Sequence, residues 1–279
     1  YEVLAEDFGD VQISEYDPTI YSPRGIVARD QQSYGIEEPE DEEVIEDILE
    51  AVDEAKKEAE ESGAEFYNGP LIRLMDYEVE DGTLDIDIQN TNYFTHAGTR
   101  ERPELRKENR ADPLSVGAVV RTADDNIVLG ERSGLVELGE GEYQLAGAGF
   151  IEDPERQYER SLNAESSSPI HRELEEEINL DYTQLTGPEP SALIGAVHRQ
   201  PMLVYDTETV LDSKEVAKEW ADIPEDEREF SQLLFIPEES SGETLEREEV
   251  LRTNPERLSD LETTGFSGSL RPHAKGALE

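Results

Sequence analysis

The chain has 279 residues and no cysteine, which is length for one large or two modest domains and excludes a disulfide-stapled mini-protein or a thiolate metal site. With 69 Asp+Glu against 24 Lys+Arg its formal charge is −45, a surface that repels nucleic acid and anionic membranes. Leu, Ile, Val and Phe number 65, slightly above the roughly 20% below which a highly charged chain buries no core, so a folded protein is expected and an acidic disordered one is the alternative.

Residues 1–39 carry scattered Pro, Gly and acids without periodicity, and the expectation there is an extended or partly ordered arm. Between Pro39 and Gly63, Val44, Ile48, Ala51, Val52 and Ala55 recur at helical spacing and predict an amphipathic helix with a solvated acidic face. PLIRLMDYEV and TLDIDIQNTNYF then flank Glu80-Asp81-Gly82, and the alternation of Leu84, Ile86 and Ile88 predicts a half-buried hairpin. A charged linker at about 98–113 is the expected domain boundary. It divides the chain into an acidic arm and helix (1–64), a small β unit with its linker (65–112) and a larger domain (113–279).

That larger domain opens with SVGAVVRT and NIVLGERS around Ala123-Asp124-Asp125, a second predicted hairpin, followed by the glycine-bearing GEYQLAGAGFIE. Further on, the pattern predicts a strand at Met202–Tyr205, a helix near 213–220, a strand at Gln232–Ile236 and a helix from about Pro255 to Leu261. There is no internal repeat, Gly-x-Gly-x-x-Gly or Walker loop, so α+β with a mixed sheet is preferred to a doubly wound sheet. No apolar run approaches the roughly 18 residues of a membrane span, and no basic-then-apolar leader opens the sequence; the reading is soluble and cytoplasmic.

SPIHRELEEEINL, residues 168–180, carries the chemistry. Ser168 is placed to cap a helix, Pro169 suits its first position, and Asn179 suits the left-handed residue that ends it. Ile170, Leu174 and Ile178 make the buried stripe, while Glu173, Glu176 and Glu177 stand at i, i+3 and i+4 on a neighbouring face. Like charges at that spacing oppose the helix, whereas a divalent cation turns repulsion into ligation, and hard oxygen ligands suit Mg²⁺. In so acidic a chain the bare pattern Glu-x-x-Glu-Glu, counted as acids of either type, is expected by chance about four times; requiring the preceding Arg and the aliphatic positions lowers this to roughly a few hundredths. Four scattered His without metal-ligand spacing argue against a His-ligated zinc centre, and His198-Arg199 is read as structural.

RELEEEINL resembles the helical half of the box of the Nudix hydrolases, G-x5-E-x7-R-E-U-x-E-E-x-G-U with U aliphatic, with Asn179 where Gly is usual. GAGFIEDPE resembles the upstream half, Gly149 being followed after five residues by Glu155. Sixteen residues rather than seven separate Glu155 from Arg172, which implies an insertion before the helix and makes Glu165 a rival for the place of Glu155. FYNGPLIRL, TNYFTHAGT, ADPLSVGAVVRTADD, the enlarged loop and RPHAKGAL make the chain similar, over about residues 65–278, to the UDP-glucose diphosphatase branch of that family. The spread of acid over the whole chain, with 18 Arg and only 6 Lys, resembles the composition of a salt-in halophile.

The resemblance implies a Nudix-type α/β/α sandwich with a mixed sheet beside a small N-terminal β-containing domain. It implies a hydrolase that splits UDP-glucose or UDP-galactose to UMP and sugar 1-phosphate, with Mg²⁺ or Mn²⁺ as cofactor and a small-molecule nucleotide as partner. Glu173, Glu177 and Glu176, with the Gly149 carbonyl, are its implied metal ligands; Glu173, Arg172 and Glu176 its catalytic residues; and Tyr67, Tyr93, Arg132, Gln144 and Glu152 its substrate contacts. Three alternatives stay open at this stage: a Nudix hydrolase of ADP-ribose or another nucleoside diphosphate derivative, a nucleotide-binding module without catalysis, and an acidic interaction protein.

Overall fold

The computed structural model describes residues 2–6, 10–15, 42–62, 68–100, 102, 105, 110–133, 141–152, 162, 168–195, 200–238, 249–254, 257–265, 269–270 and 274. Its elements run β1 (Glu2–Glu6), β2 (Asp10–Glu15), α1 (Glu42–Ser62), β3 (Pro70–Glu80), β4 (Thr83–Asn92), α2 (Tyr93–Thr99), β5 (Ser115–Arg121), β6 (Asn126–Arg132) and β7 (Glu142–Phe150). There follow α3 (Pro169–Ile178), β8 (Leu185–Gly195), β9 (Pro201–Thr209), α4 (Ser213–Ala221), β10 (Phe230–Pro237), β11 (Glu249–Asn254), β12 (Arg257–Gly265) and β13 (Ser269–Leu270). The architecture is α+β. A large mixed sheet has the order β1-β8-β9-β5-β7-β6-β10-β11-β12, with β13 parallel to β7, and a small sheet has the order β2-β4-β3.

Each sheet follows from its sequence. The small hairpin closes on Asp81 and Gly82, both at positive φ (52° and 80°), the pairing that a two-residue turn matched to strand twist requires. Leu84, Ile86 and Ile88 of β4 all turn inward, as their alternation predicts. β5 is buried along almost its whole length, which its unbroken SVGAVV run and its parallel pairing with β9 explain. The β5–β6 turn uses Asp125 at φ 62°, but the two strands pair only at Arg121–Ile127. Beyond that point they splay, and β7 enters between them, antiparallel to both.

Helices α3 and α4 pack together on one face of the large sheet, Ile170, Leu174 and Ile178 meeting Val216, Ala217 and Trp220 in the same core. Each of the three α3 side chains is fully buried, worth about 1.5–3 kcal/mol apiece, enough to hold an acid-rich helix in place. Asn179 ends α3 at φ 57° and ψ 35°, and its Nδ2 donates to the Glu219 carbonyl of α4 at 3.0 Å. Asparagine thus supplies both the left-handed cap and a tie between helices, which glycine lacks. The two sheets share that core as well: the Ile72 amide of β3 donates to Ile151 O, and the Leu114 amide donates to Ile72 O.

The structure corrects several sequence expectations. The segment from about Pro255 to Leu261 is not a helix; Arg257–Gly265 is strand β12, antiparallel to β11, so edge pairing overrides a helical pattern. Ser168 occupies the N-cap position of α3 without capping through its side chain, because its Oγ lies 3.1 Å from His171 Nδ1 instead. Within the expected arm, residues 2–6 and 10–15 are strands, one paired antiparallel with β8 and the other parallel with β4. Tyr93 is not on a strand but opens α2, whose N-cap Asn92 accepts from the Thr95 amide. Tyr67, Glu155, Glu165, His198 and Arg199 lie outside the described residues.

Candidate active site

Two glycines of β7 determine how α3 meets the sheet. Gly147 sits at φ +67°, and a Cβ there would fall 2.8 Å from Leu174. Its turn coincides with a register break between β5 and β7, and it aims two successive amides at the helix: Gly147 N and Ala148 N donate to Glu177 Oε2 at 2.6 and 3.2 Å. Glu177 is only 2% exposed, and its other oxygen, Oε1, is buried with no hydrogen-bond partner. Gly149 provides space of another kind, since a Cβ there would lie 2.2 Å from Glu173 Oε2. The Glu173 carboxylate therefore rests directly on the strand, and Arg172 Nη2 donates to its Oε1 at 2.7 Å.

These groups form one end of a cavity of about 500 Å³. Glu173, Glu176 and Arg172 of α3 line it, with Gln144, Ala148, Gly149 and Phe150 of β7. Arg132 and Glu229 close one side, and Tyr93, His96, Arg100 and Gln200 another. Glu152 stands on the wall with its Oε2 3.8 Å from Arg172 Nη1. Of the residues singled out in the sequence, Glu173, Glu176, Arg172, Gly149, Arg132, Gln144, Glu152 and Tyr93 all border this one space, and Glu177 lies buried behind it.

The carboxylates are short of counter-charge. Burial, opposed by Arg172 and reinforced by Glu176 and Glu229, pushes Glu173 up to about 7. Burial, with the charges of Glu229 and Glu173, raises Glu177 well above the carboxylate range despite its two backbone donors. Glu229 is raised by burial too, with Arg132 opposing. A group of hard oxygens that repel one another and keep one orphaned carboxylate oxygen is chemically suited to a divalent cation. Among the described residues, no three His, Asp or Glu side chains are gathered closely enough to cage an ion as they stand. Two carboxylate oxygens are in fact engaged, one by Arg172 and one by the β7 amides.

Glu229, His96, Gln200 and Phe150 escaped sequence reasoning. Glu229 is one acid among four in the stretch PEDEREF, and only the return of β10 beside β6 brings it to the cavity. His96 sits in α2, its Nε2 2.9 Å from Gln200 Nε2, with the Phe150 and Tyr93 rings edge-on at 5.2 and 6.0 Å. Burial, then the charge of Arg100, holds it down to about 3, so this imidazole is neutral throughout the working range.

No family model and no curated protein matches the chain. Among solved structures, the chain is similar to DR0079 from Deinococcus radiodurans, at 18% identity over 50% of this chain and 72% of that one, with a TM-score of 0.31. It is also similar to a MutT protein from Methanosarcina mazei Go1, at 19% identity over 35% of this chain and 62% of that one, with a TM-score of 0.24.

Proposed function

We propose that the chain is a Mg²⁺-dependent Nudix hydrolase that cleaves the diphosphate of nucleotide sugars, UDP-glucose or UDP-galactose, to UMP and sugar 1-phosphate. The observation that carries the reading is Glu177, a buried carboxylate fixed through one oxygen by the Gly147 and Ala148 amides and left with the other unpartnered. A helix that retains Glu173, Glu176 and Glu177 at such electrostatic cost has a use for them beyond packing.

Glu173 and Glu177 would hold the cation, with Glu176 and the Gly149 carbonyl as further oxygen donors. When bound, the metal supplies neutralisation of phosphate charge and a Lewis-acidic site for water. Arg172 keeps the Glu173 carboxylate in one orientation through their 2.7 Å contact. Arg132 and Gln144 face the same cavity and offer donors to phosphate, while Tyr93 supplies an aromatic edge to the nucleoside. The proton of the attacking water goes to a carboxylate on the cavity wall, Glu173 or Glu229.

The test is hydrolysis of UDP-sugars, ADP-sugars, ADP-ribose and dinucleotides in molar KCl with Mg²⁺, the products being resolved by chromatography, with Glu177→Gln in parallel. Release of UMP from UDP-sugars that requires metal and vanishes in the variant supports the reading. Turnover of adenine substrates alone keeps the chemistry and discards the uridine assignment. Folded protein without turnover on any substrate overturns the enzyme.

A further inference from the structure

Gln144 is 6% exposed and lies on the cavity wall between Arg132 and the glycine turn of β7. Arg132 Nη1 donates to its Oε1 at 2.7 Å, and its Nε2 is buried with no hydrogen-bond partner. This orientation of the carboxamide follows from chemistry as well as coordinates. A guanidinium has only N–H donors, so the amide oxygen must face it and the NH₂ must face away. An unsatisfied buried donor is costly in a folded protein, and Gln144 is held in that state by its neighbour.

From this geometry we infer that Gln144 is a specificity-determining residue whose NH₂, oriented by Arg132, binds an unprotonated acceptor oxygen of the ligand and rejects a donor at the same place. The inference rests on the reading of this cavity as the substrate site. The acceptor chemistry is shared by a phosphoryl oxygen and a nucleobase carbonyl, and a hydroxyl placed there has to act as acceptor. Arg132 is the positioning residue in this pair: it fixes which end of the carboxamide the ligand meets. Nothing in the periodicity of GEYQLAGAGF distinguishes this glutamine from a structural one; the unpartnered nitrogen does.

The test is calorimetric titration of inorganic pyrophosphate and, separately, of uridine into the metal-free full chain in KCl, comparing wild type with Gln144→Glu and Gln144→Met. Gln144→Glu keeps an oxygen toward Arg132 and removes the donors but adds a charge that repels pyrophosphate, whereas Gln144→Met removes the donors without charge, so a loss shared by both variants is one that charge alone does not produce. The inference predicts at least about tenfold weaker binding of one probe in both variants, the loss of a hydrogen bond to a polar ligand, with Gln144→Glu the weaker for pyrophosphate. Loss for pyrophosphate identifies the phosphoryl oxygen, and loss for uridine identifies the base carbonyl. Unchanged binding of both probes in either variant that retains the wild-type melting temperature overturns it. In turnover the effect includes a rise in KM for the substrate. Wild-type protein that lacks hydrolysis yet shows the binding difference would sink the enzyme reading and leave this inference standing.

Discussion

Substituting Gly149 by alanine separates catalytic geometry from stability. The new Cβ would lie 2.2 Å from Glu173 Oε2, 2.3 Å from its Cδ and 2.7 Å from its Oε1, against an ordinary contact of 3.4 Å or more. The carboxylate must therefore retreat by about 1 Å, and its 2.7 Å pairing with Arg172 goes with it. Since the clash is with the far end of a flexible side chain, the fold loses little: a partly exposed ion pair worth about 1 kcal/mol at most, offset by the lower chain entropy of alanine. A displacement of about 1 Å at a reacting centre costs roughly 100-fold in rate. Gly149→Ala should thus unfold in urea within about 1 kcal/mol of wild type while losing about 100-fold in UMP release. Wild-type turnover in a folded Gly149→Ala protein would refute the placement of Glu173 at the centre of the chemistry.

Other predictions follow from the same geometry. Gly147→Ala should behave in the opposite way, costing about 2–5 kcal/mol in urea unfolding, because its left-handed φ and its 2.8 Å approach to Leu174 strain the core. For Asn179, alanine should cost about 1–2 kcal/mol through the left-handed cap and the lost bond to Glu219 O, while glycine should stay within about 1 kcal/mol, the lost bond being offset by relief of strain. His96, depressed to about 3 from 6.5, contributes stability that is complete above pH 6.5 and is lost as pH falls toward 3. By pH 5 the loss is about 2 kcal/mol, so urea unfolding of His96→Gln should be less sensitive between pH 7 and 5 by that amount; parallel slopes would contradict a neutral buried imidazole.

Much of the fold was legible because period and burial coincide. Leu84, Ile86 and Ile88 alternate and are all buried; Ile170, Leu174 and Ile178 recur every four residues and are all buried. Pro169 and Asn179 delimit α3 as the sequence suggests. What was not legible depends on partners distant in the chain. β12 has helical composition and is a strand because β11 offers it an edge, and β1 lacks periodicity yet pairs with β8. The insertion of β7 between β5 and β6 is a property of the sheet and of no local pattern.

The same division holds for the site. The acidic helix announces itself by residue type and spacing, whereas Glu229 is indistinguishable in sequence from the many acids around it. His96 and Gln200 are 104 positions apart and meet only through the tertiary fold. Neither the buried amides that hold Glu177 nor the orientation of Gln144 has a sequence signature, since both depend on the backbone turn at Gly147 and on a neighbouring strand.

The central claim, that the α3 carboxylates hold a divalent cation, is tested most directly by calorimetric titration of Mg²⁺ into chelator-treated protein in molar KCl, where diffuse attraction to the acidic surface is screened. Wild type should show one saturable site, weakened at least about tenfold by Glu177→Gln, an isosteric change that removes the buried charge and should leave the unfolding midpoint at or above that of the metal-free wild type. Equal Mg²⁺ binding by wild type and a folded Glu177→Gln protein would contradict the account.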